Sequence, residues 1–235
     1  MTRPVAVFRF SRSEGPGHFA QWLEANERPW RLVALDLGES VPDDPTAFAG
    51  IGMMGGPMGA NDAFDWRDPL AVLLRRAVDA RVPVIGHCLG GQILSRALGG
   101  VVSRAATTEI GWIDVEATDA EASREWFGGR NAMTVFQWHQ DAFTIPPGAT
   151  RVLANAYNPN QAYVVDDRHI GMQCHIEMTA EMLEAWCDMA PGELPDTSSP
   201  ERQSRADILS GVEARIASLN ALADGVYARW ARHLA

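Results

Sequence analysis

The segment Gly86-His87-Cys88-Leu89-Gly90-Gly91-Gln92 sets a cysteine between two glycines, directly after the apolar run Val82 to Gly86 and before the helical stretch Ile93 to Leu98. A nucleophile in that strand-turn-helix setting is a nucleophile elbow: the glycines let the backbone take a sharp turn, and the turn lifts the reactive atom into a cleft at the carboxyl end of a sheet. The amides that open the following helix favour negative charge on the sulfur, so Cys88 is expected as an attacking thiolate. The bland alternative is a buried cysteine beside a tight turn. A thiolate that attacks a carbonyl needs a proton shuttle, and His175-Ile176-Glu177 offers one. Residues two apart share a face of an extended chain, so Glu177 can orient the His175 ring and stabilise its imidazolium while the other ring nitrogen exchanges protons with sulfur and leaving group. Cys88, His175 and Glu177 form a candidate catalytic triad.

An oxyanion formed at that sulfur needs backbone donors. Met54-Gly55-Gly56-Pro57-Met58-Gly59 follows a strand expected beside the one that precedes Cys88, and the amides of Gly56 and Leu89 are the expected pair. Two other spellings are set aside. Gly50-x-Gly52-x-x-Gly55 fits a dinucleotide fingerprint, but Gly56-Pro57 stands where its helix should open. His175-x-Glu177 has the spelling of a zinc deaminase, yet no Pro-Cys-x-x-Cys segment supplies the remaining ligands. No metal is expected, and no phosphate loop or other cofactor motif is present to imply a cofactor.

The elements that must position these residues alternate. Val5 to Phe10, Arg31 to Leu37, Ile51 to Met54 and Val82 to Gly86 read as strands, and Leu70 to Ala80 reads as a crossover helix, which favours a parallel α/β sheet. From Val101 to Val165 shorter strands separated by turn residues predict some antiparallel pairing. Ile170 to Cys174 returns to the core pattern and places His175 just beyond a strand; Thr179 is the expected cap of a helix over Ala180 to Met189. Cys174, alternating with His175, should point into the core. Residues 191–201 carry three prolines and read as a linker, with Ser198 and Glu201 at capping-box spacing before a terminal helix. In that helix Leu209, Val212, Ile216, Leu219, Leu222, Val226 and Trp230 form one apolar stripe, expected to pack on the chain itself, with a partner or homo-oligomer contact as the alternative.

The chain of 235 residues has 46% hydrophobic and 21% charged side chains, enough apolar surface for one main core and too much for disorder. Its formal charge of -10, with no basic patch, argues against nucleic acid and anionic membranes as partners. Three cysteines cannot form a disulfide framework, and MTRPVAVFRF carries a short strand rather than a leader, so a soluble cytoplasmic protein is expected.

Taken together, MGGPMG, GHCLGGQ, EIGW, FQWHQDAFTIPPGA and GMQCHIE, over roughly residues 49 to 180, resemble the class I glutamine amidotransferases, especially stand-alone domains similar to the glutaminase part of GMP synthase. The resemblance implies a flavodoxin-like, doubly wound, mostly parallel α/β sheet with a few antiparallel strands. It implies a domain over residues 1–190, followed by a linker and C-terminal helical extension over 191–235. It implies that Cys88 attacks the side-chain amide of glutamine, that His175 and Glu177 complete the triad, that Gln92, Trp138 and His139 face the substrate, and that ammonia passes to a separate ATP-dependent synthetase. Trp138 stands where family members often have serine, Ile176 where proline is common and Cys174 where phenylalanine is common. Three readings compete with glutamine hydrolysis. A γ-glutamyl peptide or amide hydrolase would share the acyl half of the site. A dienelactone-hydrolase-like α/β-hydrolase would need its acid before the histidine, where Asp141, Asp166 and Asp167 stand. A non-catalytic partner-binding module would not need the intact triad.

Overall fold

A computed structural model describes residues 3–234. Nine strands form one sheet: β1 (Val5–Arg9), β2 (Trp30–Ala34), β3 (Gly50–Met53), β4 (Val84–His87), β5 (Val102–Ala117), β6 (Ala132–Phe143), β7 (Thr150–Ala154), β8 (Ala162–Val165) and β9 (His169–Met172). Their spatial order is β2-β1-β3-β4-β9-β8-β7-β5-β6. The first five in that order are parallel, which is the flavodoxin-like 2-1-3-4-5 arrangement with β9 as its fifth strand. The remaining pairings are antiparallel, so the sheet is mixed, and β5 and β6 form a long hairpin with an irregularity between Arg104 and Glu109.

β1, β3, β4 and β9 are buried along almost their whole length and are mostly apolar, because helices cover both faces of this half of the sheet. Alternate residues of β1 divide between two cores. Val5 and Val7 face one layer, formed by α1 (Gly17–Ala25), α5 (Ala180–Met189) and α7 (Val212–Ala231). Ala6 and Phe8 face the other, formed by α2 (Arg67–Asp79) and α3 (Leu89–Ala97). Two short helices, α4 (Glu121–Trp126) and α6 (Arg205–Leu209), complete the set. Thr179 caps α5 as its sequence predicts, accepting from the Met182 amide at 3.3 Å.

Several local expectations require correction. The strand read over Arg31 to Leu37 ends at Ala34, and Leu35–Leu37 form a 3-10 turn closed by Gly38 in the left-handed region. No helix starts at Ser198. Ser198 Oγ instead accepts from the Ser204 amide and donates to Asp207 Oδ2, while Ser204 Oγ caps α6 by accepting from the Asp207 amide. The expected single terminal helix is two helices, because Gly211 adopts φ +63° between Leu209 and Val212. Ile216, Leu219, Leu222, Val226 and Trp230 are nonetheless buried within the chain, with Leu209 and Val212 at the margin. The proline-rich segment runs beside β5: Ile110 N donates to Glu201 O at 2.9 Å, Gln203 N donates to Ile110 O at 2.8 Å, and the Gln203 side chain bonds both N and O of Trp112. Among the described residues, no helix is long and apolar enough to cross a membrane.

Candidate active site

Residues that follow β1, β3 and β4, with Arg104 of β5, Trp138 to Asp141 of β6 and the end of α5, line one cleft of about 570 Å³ at the carboxyl edge of the sheet, where an open α/β sheet places ligands. Cys88, at the end of β4, takes φ 47° and ψ -109°, a conformation rare for a residue with a side chain and characteristic of an elbow. The turn is held from both sides, since the Cys88 amide donates to Met172 O at 2.9 Å and the Gly90 amide to Met54 O at 3.1 Å. Its glycines are required by space: a Cβ on Gly86 would lie 2.6 Å from the Gly90 carbonyl, and one on Gly90 2.6 Å from Met53 O. Leu89 opens α3, so its amide has no carbonyl of its own helix to reach, and it lines the cleft with Cys88 and Gly56.

His175 follows β9 and bridges to Phe136 of β6, its amide donating to Phe136 O at 2.9 Å. That pairing keeps the chain extended, which turns His175 and Glu177 to the same side. His175 Nδ1 donates to Glu177 Oε1 at 2.7 Å, leaving Nε2 for the sulfur. Burial works against charge on His175, but Glu177 and Cys88, the latter within hydrogen-bonding reach, together favour the imidazolium well above the ordinary histidine range. Burial likewise opposes the Glu177 carboxylate, and the charge and hydrogen bond of His175 outweigh it, so Glu177 is held below the usual glutamate range. Cys174 alternates away: it is fully buried, and burial first, then Glu177, push its thiol far up.

Gln92 lies one turn along α3 from Cys88 and lines the cleft, its Nε2 donating to Asp141 O at 3.3 Å and Gln173 Oε1 at 3.4 Å. Trp138 is half-buried at the cleft wall, with Nε1 donating to Glu193 Oε2 at 2.8 Å. His139 lines the cleft beside Trp138 with its ring buried, Nδ1 3.0 Å from Asp141 O and Nε2 3.1 Å from the buried Glu109, which Gln161 and Asn155 also meet. The acid bonded to His175 is the one that follows it, whereas Asp167 bonds Trp126 and Arg229. Among the described residues, no cluster of His, Cys, Asp and Glu has metal-binding geometry.

Four further residues shape this site, Gln173 and His87 from within GMQCHIE and GHCLGGQ and Glu14 and Trp186 from outside any motif. Gln173 Nε2 points at Cys88 Sγ from 3.6 Å; its spacing of two from His175 was the available signal. Glu14, in the loop after β1, lines the cleft; burial first, with the Glu177 charge adding to it and His175 opposing it, raises it to about 7. Its Oε2 and His175 Cε1 both border the notch left by the missing side chain of Gly55, where a Cβ would come within 2.7 Å of that ring carbon. Trp186 of α5 stands edge-on to His175, ring centroids 4.9 Å apart at 87°. His87, buried next to Cys88, donates through Nδ1 to Met53 O at 3.2 Å; burial lowers its basicity, so Nε2 is bare and accepts from Tyr227 of α7 at 3.3 Å.

A thiol on an elbow at the carboxyl edge of a 2-1-3-4-5 sheet thus lies beside a hydrogen-bonded His–Glu pair that follows the neighbouring strand. The chain belongs to the glutamine amidotransferase class-I family, whose model matches residues 31–185. A solved structure described as a glutamine amido transferase from Methylobacillus flagellatus superposes with TM-score 0.97 at 44% identity, covering 100% of this chain and 96% of that one. Glutamine-hydrolysing GMP synthase of Aeropyrum pernix is 30% identical over 164 residues, which span 67% of this chain but only 30% of that enzyme. Gamma-glutamyl peptidase 5 of Arabidopsis thaliana is 32% identical over 66% of this chain and 64% of its own length.

Proposed function

We propose that this chain hydrolyses γ-glutamyl amides, glutamine included, through a thioester on Cys88. The observation that supports it most is the hydrogen-bonded His175–Glu177 pair set against the elbow sulfur in a cleft open to a small molecule. The thiolate of Cys88 bonds to the γ-carbonyl carbon, and the amides of Gly56 and Leu89 face the developing oxyanion. His175 Nε2 passes its proton to the nitrogen as the C–N bond breaks, so ammonia or an amine leaves. Water then attacks the γ-glutamyl thioester, His175 takes its proton, and glutamate leaves as the thiolate is restored. Gln173 adds a donor toward the sulfur, which favours the charged form. Gln92, Trp138 and His139 are assigned to substrate positioning.

The likeness to both a GMP synthase and a γ-glutamyl peptidase leaves two leaving groups to separate: ammonia, handed to a separate ATP-dependent synthetase, or a larger amine. Purified protein is incubated with glutamine, γ-glutamyl amides and γ-glutamyl dipeptides, and released glutamate is measured. Release that is absent from Cys88→Ala supports the reading. No release from any of them rejects it in favour of a partner-binding module.

A further inference from the structure

If Cys88, His175 and Glu177 cleave γ-glutamyl amides as proposed, the departing amine stands beside His175, because that ring gives it its proton. The wall on that side is built from indoles and carboxyl groups. Trp186 stands against His175, Trp138 meets Trp186 edge-on with centroids 6.0 Å apart, and Trp138 Nε1 holds Glu193. Glu14 borders the Cε1 edge of the same ring, and among the described residues no donor meets its carboxyl group although it is largely enclosed.

The charges along the whole cleft are unequal: Glu14, Asp62, Asp141 and Glu193 line it against a single basic side chain, Arg104. Arg104 lies directly opposite Asp141 in the β5–β6 ladder, and Gln92 reaches the Asp141 carbonyl. That end of the cleft therefore holds one cation and one anion together, which suits the α-carboxylate and α-ammonium of a glutamyl group. Glu14, Asp62 and Glu193 are then in excess; of these, Glu14 borders His175, and Glu193 is held by Trp138, whose ring meets the Trp186 that stands against His175. The cleft is also of a size that accommodates ligands larger than a free amino acid.

We propose that the amine half of the substrate carries its own positive charge, and that the substrate class is γ-glutamyl conjugates of diamines or polyamines. A second ammonium on the leaving amine would meet the indoles of Trp138 and Trp186, the carboxylate of Glu193 and the carboxyl group of Glu14, whose ionised form that ammonium would favour. The bonds made and broken are those of the proposed hydrolysis, with the protonated diamine as the product that replaces ammonia.

The test compares kcat/KM for γ-glutamyl-1,4-diaminobutane, its neutral isostere γ-glutamyl-n-butylamide, γ-glutamylglycine and glutamine. The expected order places the diamine conjugate about tenfold or more above the butylamide, with the anionic γ-glutamylglycine lowest. Glu193→Gln and Glu14→Gln should each shrink the ratio of diamine conjugate to butylamide, by about tenfold when combined. Hydrolysis of butylamide and diamine conjugate at equal efficiency overturns the proposal while the hydrolase reading stands. A preference that survives both substitutions overturns the assigned wall. Failure to cleave any of the four overturns the hydrolase reading itself.

Discussion

Cys88 and Cys174 are both buried cysteines, yet one sits where a small molecule can arrive and the other does not. Cys174 has burial and the Glu177 charge against its ionisation, so a glutamine-analogue electrophile should label Cys88 alone; mass spectrometry of the labelled peptides checks it, and equal labelling of Cys174 or Cys187 would contradict selective activation. Cys88→Ala should lower turnover by about 10⁴-fold or more, with an unchanged circular dichroism spectrum. Glu177→Gln keeps the shape of the side chain but removes the charge that supports the imidazolium, and a loss of about 10⁴-fold in kcat is expected. The carboxyl groups also set how stability follows pH. Glu177 is lower in the folded chain than its ordinary 4.5, so its stabilisation is present above 4.5 and is lost as pH falls below it. His175 is raised above its ordinary 6.5, so its stabilisation is present below 6.5 and declines as pH rises beyond that. Glu14 acts in the opposite sense to Glu177. Its folded value of about 7 lies above the unfolded 4.5, so it makes stability fall between pH 4.5 and 7. Glu14→Gln should flatten the decline of melting temperature across that interval, and a decline equal to that of the unaltered protein would remove Glu14 as its source.

At the scale of elements, the elbow is a contact between three backbones. β4 can turn into α3 only because Gly86, Gly90 and Gly91 let the chain lie against Met53 and Met172 on the flanking strands. Gly90→Ala should cost about 1–3 kcal/mol in denaturant unfolding, because its Cβ meets backbone that cannot swing aside, and activity should fall with it. Gly225 in α7 is the contrasting case. Nothing lies within 4 Å of the Cβ it lacks, so Gly225→Ala should stabilise by about 0.5–1 kcal/mol through helix propensity alone. The hairpin of β5 and β6 acts on the site from a distance. Phe136 carries the bridge that keeps His175 extended, so the antiparallel half of the sheet aims a residue of the parallel half.

For the molecule as a whole, the two helical layers tie the chain ends to the site. Trp230 is fully buried among Phe19 and its neighbours, and Trp230→Ala should destabilise by about 3–5 kcal/mol. Tyr227 from the same helix reaches His87, the neighbour of Cys88, so α7 both covers the core and fixes the residue beside the elbow. Tyr227→Phe keeps the packing and removes that hydrogen bond; about 1 kcal/mol of stability should go with it, read from chemical denaturation.

Local patterns were enough for the parts of the site that obey a short period. The strand-glycine-cysteine-glycine-helix order of residues 82–98 and the two-residue spacing of His175 and Glu177 reflect backbone geometry that is written in neighbouring residues. The buried runs of β3, β4 and β9 were legible for the same reason. Helix boundaries near Ser198 and Gly211 were less so, because Ser198 is engaged by Asp207 and Ser204 rather than by a helix start. Glu14 and Trp186 carry no motif, Gln173 lies inside GMQCHIE with nothing to mark that it reaches Cys88, and β5 carries no mark that residues 201–203 will run beside it. The elbow, the His–Glu pair and the alternating α/β order could be read from the chain alone, since each depends on interactions between residues close along it. Glu14, Trp186 and Glu193, which join Glu177 and Trp138 on that side of the site, could not, and folding alone selects them. Those three positions come from the loop after β1, from α5 and from the segment after it, and nothing short of the assembled sheet brings them together.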